Sequence, residues 1–362
     1  MRPRVLFVSR TRYRLPLEPQ VARKWDALAV ELDLRVLATG QGADGRFRLL
    51  RSRSPASYLK LPLEVARELR AFRPDVVVAQ SPYEAAAALA GRSLAGIPAK
   101  VVLEVHGDWE TATRLYGSPL RRLLEPISRA AARAAVRHAD AVRTVSPFTS
   151  ELVRGLGVEP AATFITYLDA DAFAATPPAP LPARPRALFV GVLERYKNVH
   201  GLALAWRTVA ARAPQATLHV VGRGRERKVI EGLARDLPEG VVWDEWLPSE
   251  AVAGALDEAT VLVLPSFSEG LPRVVVEAFA RGRGVVGARA GGIPDIVEDG
   301  VSGILVPPDD VDALAEALVR VLTDRTLASS LADGAHAAAG NWLRSPAEFS
   351  LRMRELVDGL RA

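Results

Sequence analysis

Short apolar runs alternate with amphipathic stretches along the whole chain. Residues 63–72 have an amphipathic pattern, a Pro-containing turn follows, and residues 76–79 are all apolar. Apolar runs of four or five residues are typical of parallel strands buried on both faces, so the pattern predicts two series of parallel strands joined by crossover helices, the α/β class. The predicted strands are residues 5–8, 34–38, 76–79, 101–105 and 141–145 in the first series, and 187–192, 217–221, 241–243, 261–264, 285–286 and 304–306 in the second.

A proline-rich stretch separates the two series. Its proline density excludes a regular helix or strand, so we interpret residues 175–186 as a linker between domains 1–174 and 187–345. Residues 346–362 form a final helix with Phe349, Met353, Leu356 and Leu360 on one face. Two doubly wound domains bind ligands beyond the carboxyl ends of their strands, which predicts a site in the cleft between them.

Composition limits the classes of protein that fit. The chain has 362 residues, 49% hydrophobic and 25% charged, which suits two globular domains. It has no apolar run of the roughly 18 to 20 residues that a membrane span needs, and the apolar part of residues 1–9 is too short for a signal peptide. With no cysteine there is neither a disulfide nor a thiolate metal site. We therefore expect a cytoplasmic protein.

The positive charge is concentrated in the first half of the chain. Residues 1–174 have 26 Lys and Arg against 18 Asp and Glu, whereas residues 175–362 have 21 against 24. The basic residues interleave with apolar ones, which suits an anionic membrane surface or a phosphorylated acceptor, although a solvated Arg-rich surface would have the same composition. We do not expect nucleic acid as a partner. The residues concerned are Arg10, Arg12, Arg14, Arg23, Lys24, Arg46, Arg48, Arg51, Arg53 and Lys60.

Two carboxylates eight positions apart give the strongest chemical signal. Glu269 follows the strand at 261–264, Gly270 interrupts the chain, and Pro272 suits the first turn of a helix that places Glu277 about two turns in. Free N–H groups at such a helix start bind phosphate or hydroxyl oxygens, and carboxylates accept hydrogen bonds from hydroxyls. The alternative is that Glu269 caps the helix and Glu277 is solvated.

This segment resembles the Glu-x7-Glu signature of family 4 of the retaining, nucleotide-sugar-dependent glycosyltransferases. Residues 290–297 and 300–308 follow it at the spacing usual in that family, and the resemblance is strongest from about 187 to 308. It implies a GT-B type fold, with two doubly wound Rossmann-like domains facing across a cleft and a C-terminal helix that crosses back to the first domain. It also implies a nucleoside-diphosphate sugar donor, a hydroxyl acceptor and retention at the anomeric carbon.

The resemblance assigns the donor-binding residues. Glu277 would bind the nucleotide ribose, and Glu269 would bind sugar hydroxyls together with the backbone at Gly270 and Leu271. Lys197 and Gly191 would bind the diphosphate. Val192 stands where the family has an arginine, so Arg195 or Arg223 is the candidate replacement. Trp246 and Leu247 lie where the family packs the nucleobase.

Other residues are candidates for the first-domain side of the site. His106 matches the position that contacts the donor sugar from the first domain, so His106, Glu269 and Lys197 form the candidate catalytic set. Arg10 and Arg12, in what we expect to be a cationic loop at 9–14, and Asp108 are the candidate acceptor-binding residues.

We expect no cofactor and no metal. Asp169 and Asp171 have the Asp-x-Asp spacing used for manganese in another glycosyltransferase fold, but they stand just before the proline-rich stretch and not after a central strand. Retention in the family is thought to let the leaving diphosphate take the acceptor proton, which requires no separate nucleophile. Two alternatives stay open: a sugar-nucleotide epimerase or hydrolase on the same scaffold, and a non-catalytic sugar-nucleotide-binding partner.

Overall fold

A computed structural model describes residues 1–50, 56–110, 125–167 and 170–361. The chain forms two compact units, the first made of Met1–Leu168 and Arg344–Ala362 and the second of Asp169–Leu343. The C-terminal segment is therefore part of the first unit, as the resemblance implied. The division at 168/169 falls six residues before the boundary that we predicted from the proline-rich stretch. Arg51, Arg53 and Asp169 lie outside the described residues.

The described part of the first unit contains one seven-stranded sheet in the order β3-β2-β1-β4-β5-β6-β7, and all neighbouring strands are parallel. The strands are β1 (Arg4–Arg14), β2 (Asp33–Gln41), β3 (Phe47–Leu50), β4 (Val76–Ala79), β5 (Lys100–Val105), β6 (Ala141–Thr144) and β7 (Ala162–Thr163). The helices are α1 (Pro19–Glu31), α2 (Ala56–Phe72), α3 (Pro82–Ala95), α4 (Glu125–His138), α5 (Pro147–Arg154) and, at the C-terminus, α14 (Pro346–Gly359).

Helices cover both faces of this sheet. Trp25 of α1 and Met353 of α14 are fully buried and belong to one hydrophobic cluster with Phe7 of β1. Leu69 of α2 and Val136 of α4 belong to a second cluster. Because both faces are covered, the central strands are continuous apolar runs, which is why the sequence pattern found them.

Three parts of the first unit differ from the prediction. Strands β3 and β7 were not predicted, because Arg48 interrupts one apolar run and the other strand has only two residues. Residues 9–14 are not a loop but the end of β1, where residues 12–14 pair with 39–41 after a register shift. The polar and cationic composition of residues 9–14 does not give the apolar run that marks a central strand.

The described part of the second unit contains a six-stranded parallel sheet in the order β10-β9-β8-β11-β12-β13. The strands are β8 (Arg186–Val190), β9 (Thr217–Val221), β10 (Val241–Asp244), β11 (Val261–Leu264), β12 (Gly284–Ala288) and β13 (Gly303–Val306). The helices are α6 (Asp171–Ala174), α7 (Val199–Arg212), α8 (Arg227–Asp236), α9 (Ser249–Asp257), α10 (Arg273–Ala280), α11 (Ile293–Ile296), α12 (Val311–Thr323) and α13 (Arg325–Ala339), with a 3₁₀ turn at Arg195–Lys197. The core on one face of the sheet is built around Trp206 of α7 and Leu318 of α12, both fully buried.

The proline-rich segment is held against the second unit. Arg281 forms a bidentate ion pair with Asp257 at 2.9 and 2.6 Å, and also donates hydrogen bonds to the carbonyls of Phe173, Thr176 and Pro177. Arg283 donates to the carbonyls of residues 179 and 180. Proline offers carbonyl acceptors but no N–H donors, so guanidinium groups suit this segment. The predicted linker is thus a packed part of the second unit.

None of the described helices combines the length and the apolarity that a membrane crossing requires.

Candidate functional site

The second sheet has a switch point between β8 and β11. Strands β9 and β10 extend the sheet on one side of this pair, and β12 and β13 extend it on the other. Loops leaving the carboxyl ends of two such strands diverge and open a crevice, which is the usual ligand site of doubly wound sheets. Lys197 lies in the loop region after β8, and Glu269 in the loop between β11 and α10.

Lys197 and Glu269 meet although they are distant in sequence. The Nζ atom of Lys197 donates to Oε1 of Glu269 at 2.6 Å, and their side chains are only 10% and 11% exposed. Asn198 supports this position: it adopts a left-handed conformation with φ of 52°, caps α7 through the Gly201 N–H, and donates to the carbonyl of Pro308. A charge-assisted bond between largely buried groups fixes the ammonium group at the carboxyl end of the sheet.

The glycines at 291–292 fix the backbone of Glu269. The Gly292 N–H donates to the Glu269 carbonyl at 2.8 Å. Gly291 has a φ of +57°, and a Cβ there would lie 2.4 Å from the same carbonyl oxygen. Only glycine fits so close to another backbone, which gives a structural reason for the second motif recognised in the sequence.

The loop before α10 and the helix itself each have one polar group with unused hydrogen-bonding capacity. Glu277 lies one turn into the helix, not two, and its side chain is half-buried without a hydrogen bond among the described residues. Burial raises the pKa of Glu277, and nearby Arg273 opposes that shift. Ser266 is fully buried, and its hydroxyl has no hydrogen-bond partner in the described part of the chain. Gly270 and Leu271 lie between these residues and are half-buried.

Exposed side chains lie around the loops that follow β8 and β11. Arg195 and Arg223 are exposed and form no ion pair with the described residues, so both are available as replacements for the arginine absent at Val192. Trp246 is 66% exposed, and Leu247 beside it is half-buried. A ring so exposed beside polar loops offers a surface for stacking.

The short glycine loop after β9 has a packing role. A Cβ at Gly222 would lie 1.9 Å from the carbonyl oxygen of Gly191, so the loops after β8 and β9 approach each other backbone to backbone. This close approach explains the glycine at 222 without a phosphate contact.

In the first unit, His106 lies at the end of β5 against a buried ion pair. Its Nε2 atom is 3.4 Å from Oε2 of Glu104, and its Nδ1 atom is 3.5 Å from the Thr166 hydroxyl. Glu104 is paired with Arg143, which also donates to the Phe164 carbonyl at 2.7 Å. Burial alone would raise the pKa of Glu104, but Arg143, His106 and Lys24 outweigh it and lower that pKa strongly. A stable carboxylate therefore lies behind the partly exposed imidazole.

A hollow of about 500 Å³ opens in the first unit beside His106. It lies at the switch point of this sheet, between the ends of β1 and β4, which are neighbours although β2 and β3 separate them in the chain. Arg10 lines it, whereas the exposed Arg12 does not, and the roles of both toward an acceptor stay predictions. The residues around the hollow are Ser9, Arg10, Thr11, Tyr13, Lys24, Gln80, Ser81, Glu84 and His106.

Sequence reasoning missed several of the residues that line the hollow. Glu84, Gln80 and Ser81 were not predicted, although the Ser-x-x-Glu spacing directly after the strand at 76–79 was a readable helix-start signal. Asp108 does not line the hollow, and its carboxylate accepts from the Glu110 N–H in a turn. Its role toward an acceptor stays a prediction.

The described residues contain no cluster of three His, Asp or Glu side chains arranged to hold a metal ion.

Two family models match the chain in succession. Residues 9–167 match the glycosyl transferase 4-like domain, and residues 184–324 match the glycosyl transferases group 1 model. The chain is similar to a GDP-mannose-dependent alpha-(1-6)-phosphatidylinositol monomannoside mannosyltransferase of Mycolicibacterium smegmatis, with 31% identity over 65% of this chain and 66% of that protein. It is also similar to a D-inositol 3-phosphate glycosyltransferase of Corynebacterium urealyticum, with 36% identity over 42% of this chain and 39% of that protein. The aligned regions thus span from about two fifths to just under two thirds of these relatives' own lengths.

Solved structures with the same architecture cover nearly the whole chain. The sucrose-phosphate synthase of Thermosynechococcus elongatus matches with a TM-score of 0.76 and 22% identity, covering 99% of both chains. The Anabaena protein HepE, in complex with UDP and glucose, matches with a TM-score of 0.72 and 18% identity, covering 98% of this chain and 99% of that one. These likenesses confirm the predicted α/β fold of the GT-B type.

Two doubly wound parallel sheets, one in each unit, are the architecture of the GT-B type fold. More narrowly, the chain belongs to the family 4 glycosyltransferases, a family of enzymes, and the resemblance drawn from its motifs is confirmed.

Proposed function

We propose that this protein transfers a sugar from a nucleoside-diphosphate sugar to a hydroxyl acceptor with retention at the anomeric carbon. The observation that carries the donor half of this proposal is the Lys197–Glu269 pair at the second unit's switch point, with Glu277 in the helix that follows. A cation for a diphosphate and carboxylates for hydroxyls thus lie in the two segments that follow β8 and β11. The GDP-mannose dependence in the name of the mannosyltransferase relative supports a nucleotide donor.

Each side chain then has a defined task. Lys197 neutralises charge on the departing diphosphate, and the exposed Arg195 or Arg223 supplies the second cation. Fixed cations are most effective where charge develops in the transition state. Glu277 accepts hydrogen bonds from the ribose hydroxyls, Glu269 accepts them from the sugar, and Trp246 stacks on the base. The resemblance assigns His106 a contact with the donor sugar, and this role stays a prediction.

The bond changes balance without a protein nucleophile. The acceptor oxygen forms a bond to the anomeric carbon while the bond from that carbon to the diphosphate oxygen breaks. The acceptor's proton passes to the released diphosphate. The protein's part is to orient both substrates and stabilise the leaving charge.

The test is a thermal-shift panel with UDP, GDP, ADP and TDP and their sugar conjugates. A ligand present at about 100 times its Kd stabilises the native state by about 2.7 kcal/mol. The nucleotides that carry the recognised base should therefore raise the melting temperature clearly. Glu277→Ala should abolish that rise, whereas Glu316→Gln, on an exposed side chain of α12, should keep it. No rise with any nucleotide would remove the main support for a nucleotide-sugar donor.

Product analysis separates the remaining alternatives. An epimerase or hydrolase would convert the bound nucleotide sugar without any acceptor, and a non-catalytic partner would bind it and leave it intact. Transfer predicts conversion that depends on an added acceptor.

We also propose that the first unit contacts an anionic membrane at the inner face. On α2, Leu59 and Leu63 are 83% and 53% exposed, one turn apart, and the exposed Lys60 lies between them in sequence. Apolar side chains beside a cation are typical of an interfacial helix. The fraction of protein that sediments with phosphatidylglycerol vesicles should be lower for the double variant Leu59→Ser/Leu63→Ser than for wild type. Phosphatidylcholine vesicles should bind neither wild type nor the variant. Equal sedimentation of variant and wild type would contradict this contact.

A further inference from the structure

Four polar side chains in the first unit form a closed circuit of contacts. Glu104 and His106 are two positions apart at the carboxyl end of β5, so their side chains lie on the same side of the extended chain. Arg143 is the cross-strand neighbour of Glu104 on β6. The Thr166 hydroxyl closes the circuit, because it lies 3.4 Å from Nη2 of Arg143 and 3.5 Å from Nδ1 of His106. This quartet consists of His106, Glu104, Arg143 and Thr166.

Arg143 fixes the position and the charge of Glu104. Its side chain is fully buried, and its guanidinium lies 4.1 Å from the ring centroid of Phe164 and 5.4 Å from that of Phe349 in α14. It donates to Oε1 of Glu104 and to the Phe164 carbonyl. Burial would raise the pKa of Glu104, but Arg143 lowers that pKa more strongly. Glu104 is therefore a carboxylate, which accepts hydrogen bonds and donates none.

The contacts at both imidazole nitrogens of His106 indicate the same tautomer. Nε2 lies 3.4 Å from Oε2 of Glu104, and a carboxylate attracts an N–H group but repels a lone pair. At the other nitrogen, the Thr166 oxygen accepts from Arg143, so the hydroxyl hydrogen can be donated to Nδ1. A proton on Nε2 and a lone pair on Nδ1 satisfy both contacts. Because Arg143 and Lys24 already oppose the charge of Glu104, this arrangement does not require a charged imidazole.

The Nδ1 side of His106 is within reach of a ligand. The His106 side chain is 36% exposed and lines the hollow at the switch point of the first sheet. Its contact with Thr166, at 3.5 Å, is at the long limit of a hydrogen bond. A ligand hydroxyl can therefore replace the Thr166 hydroxyl at Nδ1 with little loss.

We propose that the other three members of the quartet are positioning residues: they hold His106 as the neutral tautomer with its proton on Nε2, so that Nδ1 accepts a hydrogen bond from a substrate hydroxyl. The inference rests on the proposed function, which supplies a substrate that bears hydroxyl groups. It adds the direction of one hydrogen bond: the hydroxyl donates and His106 accepts.

Nitrogen-15 NMR of the histidine side chains at pH 8, above the usual range of imidazole titration, tests the tautomer directly. The chain has five histidines, and His106→Gln identifies the signals of His106 by their loss. Wild-type His106 should have its proton on Nε2. In Glu104→Gln the amide oxygen should stay with Arg143, which only donates, so the amide N–H group faces His106. The proton of His106 should then move to Nδ1.

A matched pair of variants tests the Thr166 contact. Thr166→Val removes the hydroxyl and should shift the Nδ1 resonance of His106, whereas Thr166→Ser keeps the hydroxyl and should keep the wild-type resonance. These substitutions leave the buried ion pair of Glu104 and Arg143 intact, so they remain informative if Glu104→Gln does not fold.

A transfer assay connects the tautomer with the reaction. Glu104→Gln should lower kcat/KM about tenfold, the size expected when one hydrogen bond to the substrate is lost. Its rise in melting temperature with the bare nucleoside diphosphate should match wild type, because the residues assigned to the nucleotide lie in the second unit. Glu151→Gln changes an exposed carboxylate of the first unit and should leave both the spectrum and the transfer rate unchanged.

The possible results separate this inference from the proposed function. The inference is overturned if wild-type His106 has a proton on Nδ1 at pH 8, alone or together with one on Nε2, or if a folded Glu104→Gln keeps the wild-type tautomer. Absence of the nucleotide shift in wild type would instead count against the proposed function, and the tautomer would still be measured.

Discussion

At the scale of single residues, Glu84 is a carboxyl group that lowers the stability of its own unit. Burial raises its pKa to about 7, with Arg10 opposing the shift, whereas an unfolded glutamate titrates near 4.3. Between these two values the unfolded chain has released the proton and the folded chain still holds it. The free energy of unfolding therefore falls as the pH rises through this range, and the loss is complete above pH 7.

Glu84→Gln should consequently stabilise the protein at high pH. We expect the substitution to change the free energy of unfolding, relative to wild type, by about 2 kcal/mol more in favour of the folded state at pH 8 than at pH 5. The reason is that glutamine has no proton to lose. Urea unfolding at the two pH values measures this difference. An equal effect of the substitution at both pH values would show that Glu84 has an ordinary pKa.

The Lys197–Glu269 pair leads to a second prediction. A diphosphate must share or displace Glu269 to reach the ammonium group. Glu269→Gln should therefore bind the bare nucleoside diphosphate at least as tightly as wild type does, and should lose the additional affinity contributed by the sugar. Lys197→Ala should bind the diphosphate about tenfold or more weakly. Calorimetry with the nucleotide and its sugar conjugate measures both effects.

The control for this pair is Arg289→Ala, which removes an exposed cation that follows β12 and is paired with Asp299. It should leave both affinities unchanged. If Glu269→Gln lowered the affinity for the bare nucleoside diphosphate as much as Lys197→Ala does, the separate roles assigned to the two residues would be wrong.

The sequence predicted several candidate site residues but not their contacts. The eight-residue spacing of Glu269 and Glu277 is local and could be read directly. The contact between Lys197 and Glu269 depends on β8 and β11 being neighbours, and that adjacency follows from the topology of the whole sheet. Glu84 could not be identified as buried, because a glutamate in the first turn of a helix is ordinarily a solvated dipole partner.

At the scale of elements, Arg281 and Asp257 fix the chain that leads into β8. Both Arg281 and Arg283 are almost fully buried, and between them they satisfy carbonyls along residues 173–180. Arg281→Ala would leave Asp257 without its bidentate partner and the carbonyls of residues 173, 176 and 177 without this donor. We expect a loss of about 3 kcal/mol or more in the free energy of unfolding.

Urea denaturation of Arg281→Ala and Arg207→Ala provides the comparison. Arg207 pairs with Asp236 on the surface, where both side chains are 49% exposed, and such pairs contribute little. A similar small effect for both variants would show that the proline-rich segment does not depend on the buried arginine.

The accuracy of the strand predictions follows from burial. The apolar runs at 76–79 and 261–264 match β4 and β11 at both ends, because these strands are covered on both faces and contain only apolar residues. The edge strand β3 has an exposed Arg48, and β1 continues into the polar residues that line the hollow. Pattern alone fails where a strand leaves the core or enters a site.

At the scale of the whole molecule, the last helix in sequence stabilises the first unit. Phe349, Met353 and Val357 of α14 are buried in the cluster that contains Trp25 of α1, and Arg354 donates to the Glu31 carbonyl at 2.9 Å. The first unit is therefore complete only after the chain has passed through the second.

Met353→Ala should lower the stability of the first unit by about 2 to 5 kcal/mol, as expected for a large buried side chain shortened to a methyl group. Hydrogen exchange should speed up in α1 and β1, which share its cluster, and should stay unchanged in α7, whose core surrounds Trp206. Leu351→Ala, at a position of the same helix that is 52% exposed, is the matched control and should leave exchange unaltered. Faster exchange in α7 as well would mean that the two cores unfold together, and the nucleotide site would then lose stability whenever the C-terminal helix did.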